Sequence, residues 1–430
     1  MTATAAAIMK RYRKVMFPAA VPYHGDNPLV ADRGKDQYIW DIEGRRYLDF
    51  FGGILTVSVG HCNDEITERT LAQLQKLQHT STVYVNEVMV RLAEKVAELT
   101  PGHLQKCFFT NSGTEANETA VLAARMYTGN PIIITLRHAY SGRSMLAMSL
   151  SAQRPWRLGG VVDPYVKHVR NPYTLRAPAG LTPEQVVDLC VQDLEETIAT
   201  STEGRIAAFM AEPIQGAGGF IVPPEDYFRR IIPIVREAGG VFISDEVQTG
   251  WGRTGGKWFG IEQWGVEPDI MTFAKGMGNG SPIGCTVARP EIADAVAGLT
   301  FSTFGGNPVT MATTLATIEY MEAHDTPSNC AVQGKRMAEK LAEFAAEFPI
   351  IGEARGMGLM QAIEIVKPGG LEPDAPRTAA FVDTCKEKGL LLGKGGLYGN
   401  VVRIAPHLNV SGEDMDIAMG IVAEALAEVS

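Results

Sequence analysis

The run Thr272-Phe273-Ala274-Lys275-Gly276-Met277-Gly278-Asn279-Gly280 sets a lysine at the end of an apolar stretch and surrounds it with small residues. Glycines give no apolar cover for a lysine stem, so snorkelling of the amine along an apolar surface accounts poorly for this pattern. A lysine desolvated in a pocket is a standard means of forming an imine with a carbonyl compound. A second segment, Phe108-Phe109-Thr110-Asn111-Ser112-Gly113-Thr114-Glu115-Ala116-Asn117-Glu118, takes an apolar run through a small-residue turn into a helical pattern that continues to Met126. Free N–H groups at such a helix start attract an anion, Ser112 and Thr114 add hydroxyl donors, and Gly113 permits close approach of the backbone. The segment lacks the Gly-Lys-Ser/Thr ending of a nucleotide loop, so a phosphate on a small cofactor suits it better than a triphosphate. A capped helix after a strand is the plainer reading of the same residues.

Gly240-Val241-Phe242-Ile243-Ser244-Asp245-Glu246-Val247 places two carboxylates at the carboxyl end of an apolar run, where open α/β sheets bind ligands. A buried carboxylate needs a charged or hydrogen-bonded partner, and a protonated ring nitrogen would be one. Downstream, Gly250-Trp251-Gly252-Arg253-Thr254-Gly255 matches the dinucleotide fingerprint in form, but Gly256-Lys257-Trp258-Phe259-Gly260 follows it in place of an apolar helix, so the match is read as chance. Two more segments carry usable groups: Phe301-Ser302-Thr303-Phe304-Gly305-Gly306-Asn307-Pro308, a hydroxyl-bearing turn, and Val401-Val402-Arg403-Ile404-Ala405-Pro406. Arginine is the natural bidentate receptor for a carboxylate. In isolation these two are more often structural.

Groups so far apart in sequence need a scaffold to bring them together. Short apolar runs bounded by Gly or Pro recur at residues 106–110, 131–136, 206–210, 240–244 and 269–273, and segments with helical spacing lie between them at 88–99, 183–198 and 227–238. This alternation predicts an α/β fold with a mainly parallel sheet. Beyond about residue 310 the texture changes to Ala- and Glu-rich helical stretches at 311–323, 331–347, 378–388 and 412–427, around strand-like runs at 359–365 and 401–405. The expected division is a large domain over residues 61–310 and a smaller α+β domain over 311–430. Residues 1–60 pack with the smaller one, and 39–41 and 46–48 form a hairpin about Glu43-Gly44. Residues 151–181 hold Arg154, Arg157, Lys167, Arg170 and Arg176 against the single acid Asp163 and read as a long basic loop, either a solvated excursion or a device favouring an anionic ligand.

The chain has 430 residues, 45% of them hydrophobic, enough for a large core. Its formal net charge of −10 argues against a general nucleic-acid binder, which needs a basic surface. Six scattered cysteines, with no CxxC pair and no ligand-like spacing to histidine, indicate neither a disulfide framework nor a metal site and fit a reducing, cytoplasmic setting. No run approaches the ~18 consecutive apolar residues of a membrane helix. The basic start, with no acid before Asp26, reads as an ordinary N-terminal arm rather than a targeting segment.

Taken together, the five chemical segments resemble the class III aminotransferases, pyridoxal-phosphate enzymes of fold type I, along essentially the whole chain from Asp41 to Arg403. Within that class the run Gly52-Gly53-Ile54-Leu55-Thr56-Val57-Ser58-Val59-Gly60-His61-Cys62 is most similar to the alanine-glyoxylate aminotransferase 2-like and omega-aminotransferase branch. The resemblance implies that pyridoxal 5'-phosphate is the cofactor and that Lys275 holds it as a Schiff base. It implies that Ser112, Gly113 and Thr114 hold the phosphate, Tyr140 stacks on the ring, Asp245 pairs with the ring nitrogen, Val247 packs beneath and Gln248 approaches the ring hydroxyl. Glu212 would support the site, and Arg403 would receive the substrate carboxylate. Thr303 would reach the phosphate of a neighbouring subunit, making the active unit a homodimer or a dimer of dimers. Two positions depart from the family pattern. Ser141 follows Tyr140 where a histidine is common, and Ala217 stands where members handling 2-oxoglutarate often carry a masking glutamate. The second departure favours a small acceptor such as pyruvate or glyoxylate, with alanine, a β- or ω-amino acid or an amine as donor. A lyase eliminating ammonia or phosphate, or an aminomutase, is the alternative on the same fold.

Overall fold

Three sheets organise the chain, which the computed structural model describes over residues 4–430 apart from 21, 26 and 161. Asp26, which ends the acid-free N-terminal stretch, residues 1–3 and 21 within that stretch, and residue 161 in the basic loop thus lie outside the described residues. Strands β1 (Ala31–Lys35), β2 (Tyr38–Asp41) and β3 (Arg46–Asp49) open the chain. The middle supplies β4 (Lys106–Thr110), β5 (Ile133–Leu136), β6 (Val166–Val169), β7 (Ala208–Ala211), β8 (Val241–Asp245), β9 (Ile270–Ala274) and β10 (Gly284–Ala288). The last third supplies β11 (Ile351–Met357), β12 (Met360–Ile365), β13 (Leu390–Leu391), β14 (Gly393–Gly395) and β15 (Val401–Ile404).

The seven middle strands form one sheet in the order β4-β10-β9-β8-β7-β5-β6. Only β10 runs antiparallel, against both β4 and β9. The chain is thus the mixed α/β, mainly parallel structure its sequence leads one to expect. Strands β5, β7, β8, β9 and β10 are buried at every position. Burial on both faces explains why they read as continuous apolar runs without alternation. All the parallel strands point their carboxyl ends to one edge, so Thr110, Ala211, Asp245 and Ala274 end together, and the loops that follow them gather there. The sequence motifs converge for that reason.

The structure revises the long basic loop at residues 151–181. Val166–Val169 is the edge strand of the main sheet, paired parallel to β5 alone. Its central Lys167 and His168 are only partly buried, and those polar residues hid it from a search for apolar runs. Arg176 is a structural residue, ion-paired with the buried Glu364 of β12. Glu364 also meets Arg355 Nη1 at 2.8 Å and accepts from the Tyr173 hydroxyl, which ties the segment to the C-terminal sheet.

That sheet, β11-β12-β15-β14, is antiparallel and carries Arg403 on β15. The hairpin of β2 and β3 forms with Tyr38 opposite Leu48, and β3 pairs in parallel with β13. Immediately after β3, residues Gly52, Gly53, Ile54 and Leu55 all take positive φ, between 55° and 71°. A left-handed turn costs about 1–2 kcal/mol at each non-glycine position, so Ile54 and Leu55 must be held there. Asp49 Oδ1 accepts the N–H groups of Phe51 and Gly52 at 3.0 and 2.9 Å, while His61 Nε2 lies 2.9 Å from Oδ2. Asn279 secures the following residues, accepting from Ser58 N and Val59 N at 2.8 and 3.0 Å. The strained turn brings Ile54 to the wall of a cavity that also contains Lys275.

Candidate active site

The phosphate-cradle segment folds as a strand, a turn and the helix Gly113–Thr128. Ser112 caps this helix, its Oγ accepting from Glu115 N at 3.3 Å. The N–H groups of Gly113 and Thr114 point beyond the first turn with no hydrogen bond among the described residues, as an anion site at a helix start requires. The helix lies close to the sheet because its inner face is Ala116, Ala120, Val121, Ala123 and Ala124. Glycine is needed opposite it: a Cβ on Gly284 would collide with Ser112 O and Thr110 Oγ1.

A cavity of about 170 Å³ lies at the carboxyl edge of the sheet, lined by eight residues singled out from sequence: Gly113, Thr114, Tyr140, Glu212, Asp245, Val247, Gln248 and Lys275. A second cavity of about 450 Å³ shares Tyr140, Gln248 and Lys275 with it and extends to Arg403, Ala217 and Ile54. Ser112 stands behind the first cavity as the helix cap. Thr303 is not brought to either cavity in its own chain. It lines a separate open hollow with Asn111, Glu115 and Phe304, beside the exposed Leu299 and Phe301.

Lys275 leaves β9 in the left-handed region, with φ at 46°, and begins a short 3-10 turn through Gly278. Desolvation pushes its amine down to about 8, although the charges of Asp245 and Glu212 oppose the shift. Asp245, 4% exposed, is held by Asn117 Nδ2 at 2.9 Å and by Val247 N at 3.1 Å. Burial raises its carboxyl above the ordinary range while these bonds and Lys275 work the other way. Glu212 accepts Tyr140 N at 3.1 Å and Gly216 N at 2.7 Å. Burial and the nearby Asp245 push it up to about 8. The neighbouring Glu246 plays a different part: it turns from the cavity to accept Gly260 N at 2.9 Å and Ile261 N at 2.8 Å, and the Thr249 hydroxyl. It therefore ties down the stretch after Gly250, which runs on as turns without the helix a dinucleotide fingerprint needs.

Two residues at the site were not singled out by sequence reasoning. Asn117 is 1% exposed and carries a complete set of bonds, donating to Asp245 Oδ2 and to Ser141 O at 3.0 Å and accepting from Thr272 Oγ1 at 2.7 Å. Its signal was available: it is the one polar residue on the small, buried stripe of its helix, four positions after Gly113. Arg143 lines the smaller cavity, and its N–H donates to Thr114 Oγ1 at 3.2 Å. It lies in a loop without periodicity, so position gave no cue.

The arrangement fits pyridoxal phosphate on its own chemistry. The helix start offers N–H donors for a phosphate, Asp245 a buried carboxylate for a ring nitrogen, and Lys275 an amine of lowered basicity. Gln248 Oε1 is buried without a hydrogen-bond partner, as expected of a group that faces a bound polar molecule. Fold and site together define a pyridoxal-phosphate-dependent transferase of fold type I.

Comparison with known proteins agrees. The family model described as "Aminotransferase class-III" matches residues 20–426, and the chain belongs to that family. Among curated relatives, alanine–glyoxylate aminotransferase 2 homolog 2, mitochondrial, of Arabidopsis thaliana is 41% identical, covering 90% of this chain and 81% of the relative. Alanine–glyoxylate aminotransferase 2, mitochondrial, of Homo sapiens is 36% identical over 98% of this chain and 86% of its own. A solved structure of a thermostable (S)-enantioselective omega-transaminase from Thermomicrobium roseum superposes with a TM-score of 0.92 at 34% identity, covering 100% of this chain and 99% of that one. The protein is a transaminase, and its cofactor is pyridoxal phosphate. Among the described residues no helix is long and apolar enough to cross a membrane.

Proposed function

We propose that this transaminase moves the amino group of a small amino acid (alanine, or a β- or ω-amino acid) or of an amine to a small 2-oxo acid such as pyruvate or glyoxylate, in a ping-pong cycle run by Lys275. The observation that carries this reading is the larger cavity, where Arg403 and Lys275 share one lining with Ala217 and no carboxylate side chain. A small 2-oxo acid can place its one carboxylate on Arg403 with no carboxylate side chain of the lining competing for it.

In this reading Ser112, Gly113, Thr114 and the partner subunit's Thr303 hold the cofactor phosphate. Tyr140 and Val247 bracket the ring, Gln248 meets its hydroxyl and Glu212 supports that wall. When bound, the cofactor supplies an electron sink for charge released at the substrate carbon. The chain does the rest. Asp245, ionised and fixed by Asn117, keeps a proton on the ring nitrogen. Lys275, freed when a substrate amine takes its place, removes the proton from the substrate carbon as a neutral base and then delivers it as an acid. Its lowered basicity puts a useful fraction of neutral amine within reach of physiological pH. Arg403 orients the substrate through its carboxylate.

Thr303 supports a dimeric active unit, because it lies away from its own chain's cavities among exposed apolar residues that a second copy would cover. Residues 61–310 form the large, cofactor-holding domain in this proposal, with 1–60 and 311–430 making up the smaller one, and the cytoplasm is the proposed location. The cavity lining does not favour phosphate elimination: the basic segment contributes Pro155 and Trp156 to the larger cavity and none of its cations.

Arg403→Ala is expected to lower kcat/KM for pyruvate and glyoxylate by about 10- to 100-fold, the value of a charged hydrogen-bonded contact. Initial rates with each acid, for both proteins, check this. Unchanged kinetics would remove Arg403 from the role, and a wild-type preference for 2-oxoglutarate over both small acids would overturn the acceptor assignment.

A further inference from the structure

Asp49 Oδ2, His61 Nε2 and His407 Nε2 lie within 4.8 Å of one another at the foot of the left-handed turn that follows β3. Asp49 Oδ2 and His61 Nε2 are 2.9 Å apart, whereas His407 Nε2 is 3.8 Å from the same oxygen, too far for a hydrogen bond. The two imidazole rings meet edge to face with centroids 5.0 Å apart. His407 is fully buried, and its Nε2 has no hydrogen-bond partner among the described residues. A chain of amides fixes the form of this ring. The Val59 carbonyl can only accept, so Asn409 turns Nδ2 towards it, at 3.1 Å. Asn409 Oδ1 then receives Gln37 Nε2 at 3.1 Å, and Gln37 presents Oε1 to His407 Nδ1 at 2.6 Å. The imidazole proton is therefore on Nδ1, and Nε2 offers a bare lone pair to the space shared with Asp49 and His61. An imidazole oriented by a hydrogen bond from its far nitrogen is the usual preparation of a metal ligand.

We propose that Asp49, His61 and His407 bind one divalent transition-metal ion of the zinc type, which clips the turn after β3 to the segment after β15. Two imidazole nitrogens and one carboxylate oxygen suit zinc, which takes such ligands at about 2.0–2.2 Å and leaves a fourth position to water. In a tetrahedral site the ligand atoms sit about 3.4 Å apart, so Asp49 and His407 close by a few tenths of an ångström. His61 is the one ligand with solvent access, its side chain 17% exposed, and it makes the larger adjustment and marks the way in. With the ion in place of its Nε2 proton, His61 carries that proton on Nδ1. Asp49 Oδ1 meanwhile keeps the N–H groups of Phe51 and Gly52. A hard ion such as magnesium or calcium needs several oxygen ligands, and only one carboxylate is offered. Arg253, bonded to the Pro406 carbonyl, also adds positive charge nearby, which favours an ion held mainly by imidazole nitrogen.

The clip joins segments that already meet through the backbone, Ala405 N donating to Phe50 O at 2.8 Å and Leu408 N to Ser58 O at 2.6 Å. A Cβ on Gly52 would come within 3.5 Å of His407 Cδ2, so the ring packs directly on the strained turn. None of the three ligands lines either cavity of the active site, and the proposal is independent of the acceptor assignment. The ligands come from the two ends of the chain and include no cysteine, so no short motif announces the site.

Holoenzyme stripped with a chelator, mixed with excess zinc and then gel-filtered is expected to retain one zinc per chain by elemental analysis. Saturating zinc is expected to raise its Tm by roughly 2–5 °C. The exposed Cys62 adjoins His61 and is the obvious competing ligand, so Cys62→Ser is the control and is expected to keep the zinc. His407→Gln and His61→Gln are each expected to weaken zinc binding at least about tenfold and to abolish the Tm rise. If His407→Gln does not fold, His61→Gln, at the partly exposed position, decides alone. Wild-type enzyme that retains no zinc, undiminished retention in a folded histidine variant, or loss of the zinc on Cys62→Ser would each overturn the proposal.

Discussion

Replacing Lys275 by alanine is expected to abolish turnover, by at least about 10⁴-fold, and to remove the visible absorbance of the covalently held cofactor. Three losses coincide in that one change. The covalent link goes, so the cofactor is retained only by its phosphate and ring contacts. The base that takes the proton from the substrate carbon goes, and so does the acid that returns it. The fold itself should survive, because among the described residues the amine forms no ion pair, and the side chain lines the two cavities. Alanine also accepts the left-handed backbone at this position no worse than lysine does. The checks are a steady-state assay, an absorbance spectrum and a circular dichroism spectrum of the same preparation. A variant that keeps both activity and absorbance would show that Lys275 is not the cofactor lysine.

Asp245→Asn is expected to lower kcat by about 10²–10³-fold while leaving most of the cofactor bound. Asparagine has the shape of aspartate and keeps an oxygen to accept from Asn117 Nδ2 or Val247 N. What it cannot do is carry the negative charge that holds a proton on the ring nitrogen. Cofactor occupancy depends instead on the helix start at Gly113 and on Lys275, neither of which changes. Measured side by side, rate and occupancy should therefore separate. A parallel fall in both would make Asp245 a residue of cofactor retention rather than of catalysis.

The parts of this molecule that sequence revealed are those under two-sided burial. Strands such as β8 and β9 must be apolar throughout, and any charged group at their ends then stands out; Asp245 and Lys275 were visible for that reason. Two edge strands escaped, although a third, β4, was legible. Val166–Val169 has partners on one side only and tolerates Lys167 and His168, and Ile351–Met357 carries Glu353, Arg355 and two glycines for the same reason. The left-handed turn at Gly52–Leu55 also left no trace, since Ile54 and Leu55 are residues that local preference would never place there and only Asp49 and its partners hold them. Asn117 shows the other limit. It acts through Asp245, which lies more than a hundred positions away, and no local pattern encodes that pairing. Arg176 marks the converse error: a cation read from composition as a possible ligand group is spent on Glu364.

The central claim, that Lys275 passes an amino group from donor to a small 2-oxo acid, is tested most directly by stoichiometry. Purified, cofactor-loaded enzyme mixed with alanine and no acceptor should release one equivalent of pyruvate per chain, with a matching loss of visible absorbance, and then stop. Addition of glyoxylate should restore the absorbance and form one equivalent of glycine. Continued release of keto product with ammonia in the absence of any acceptor would contradict the account and identify a lyase.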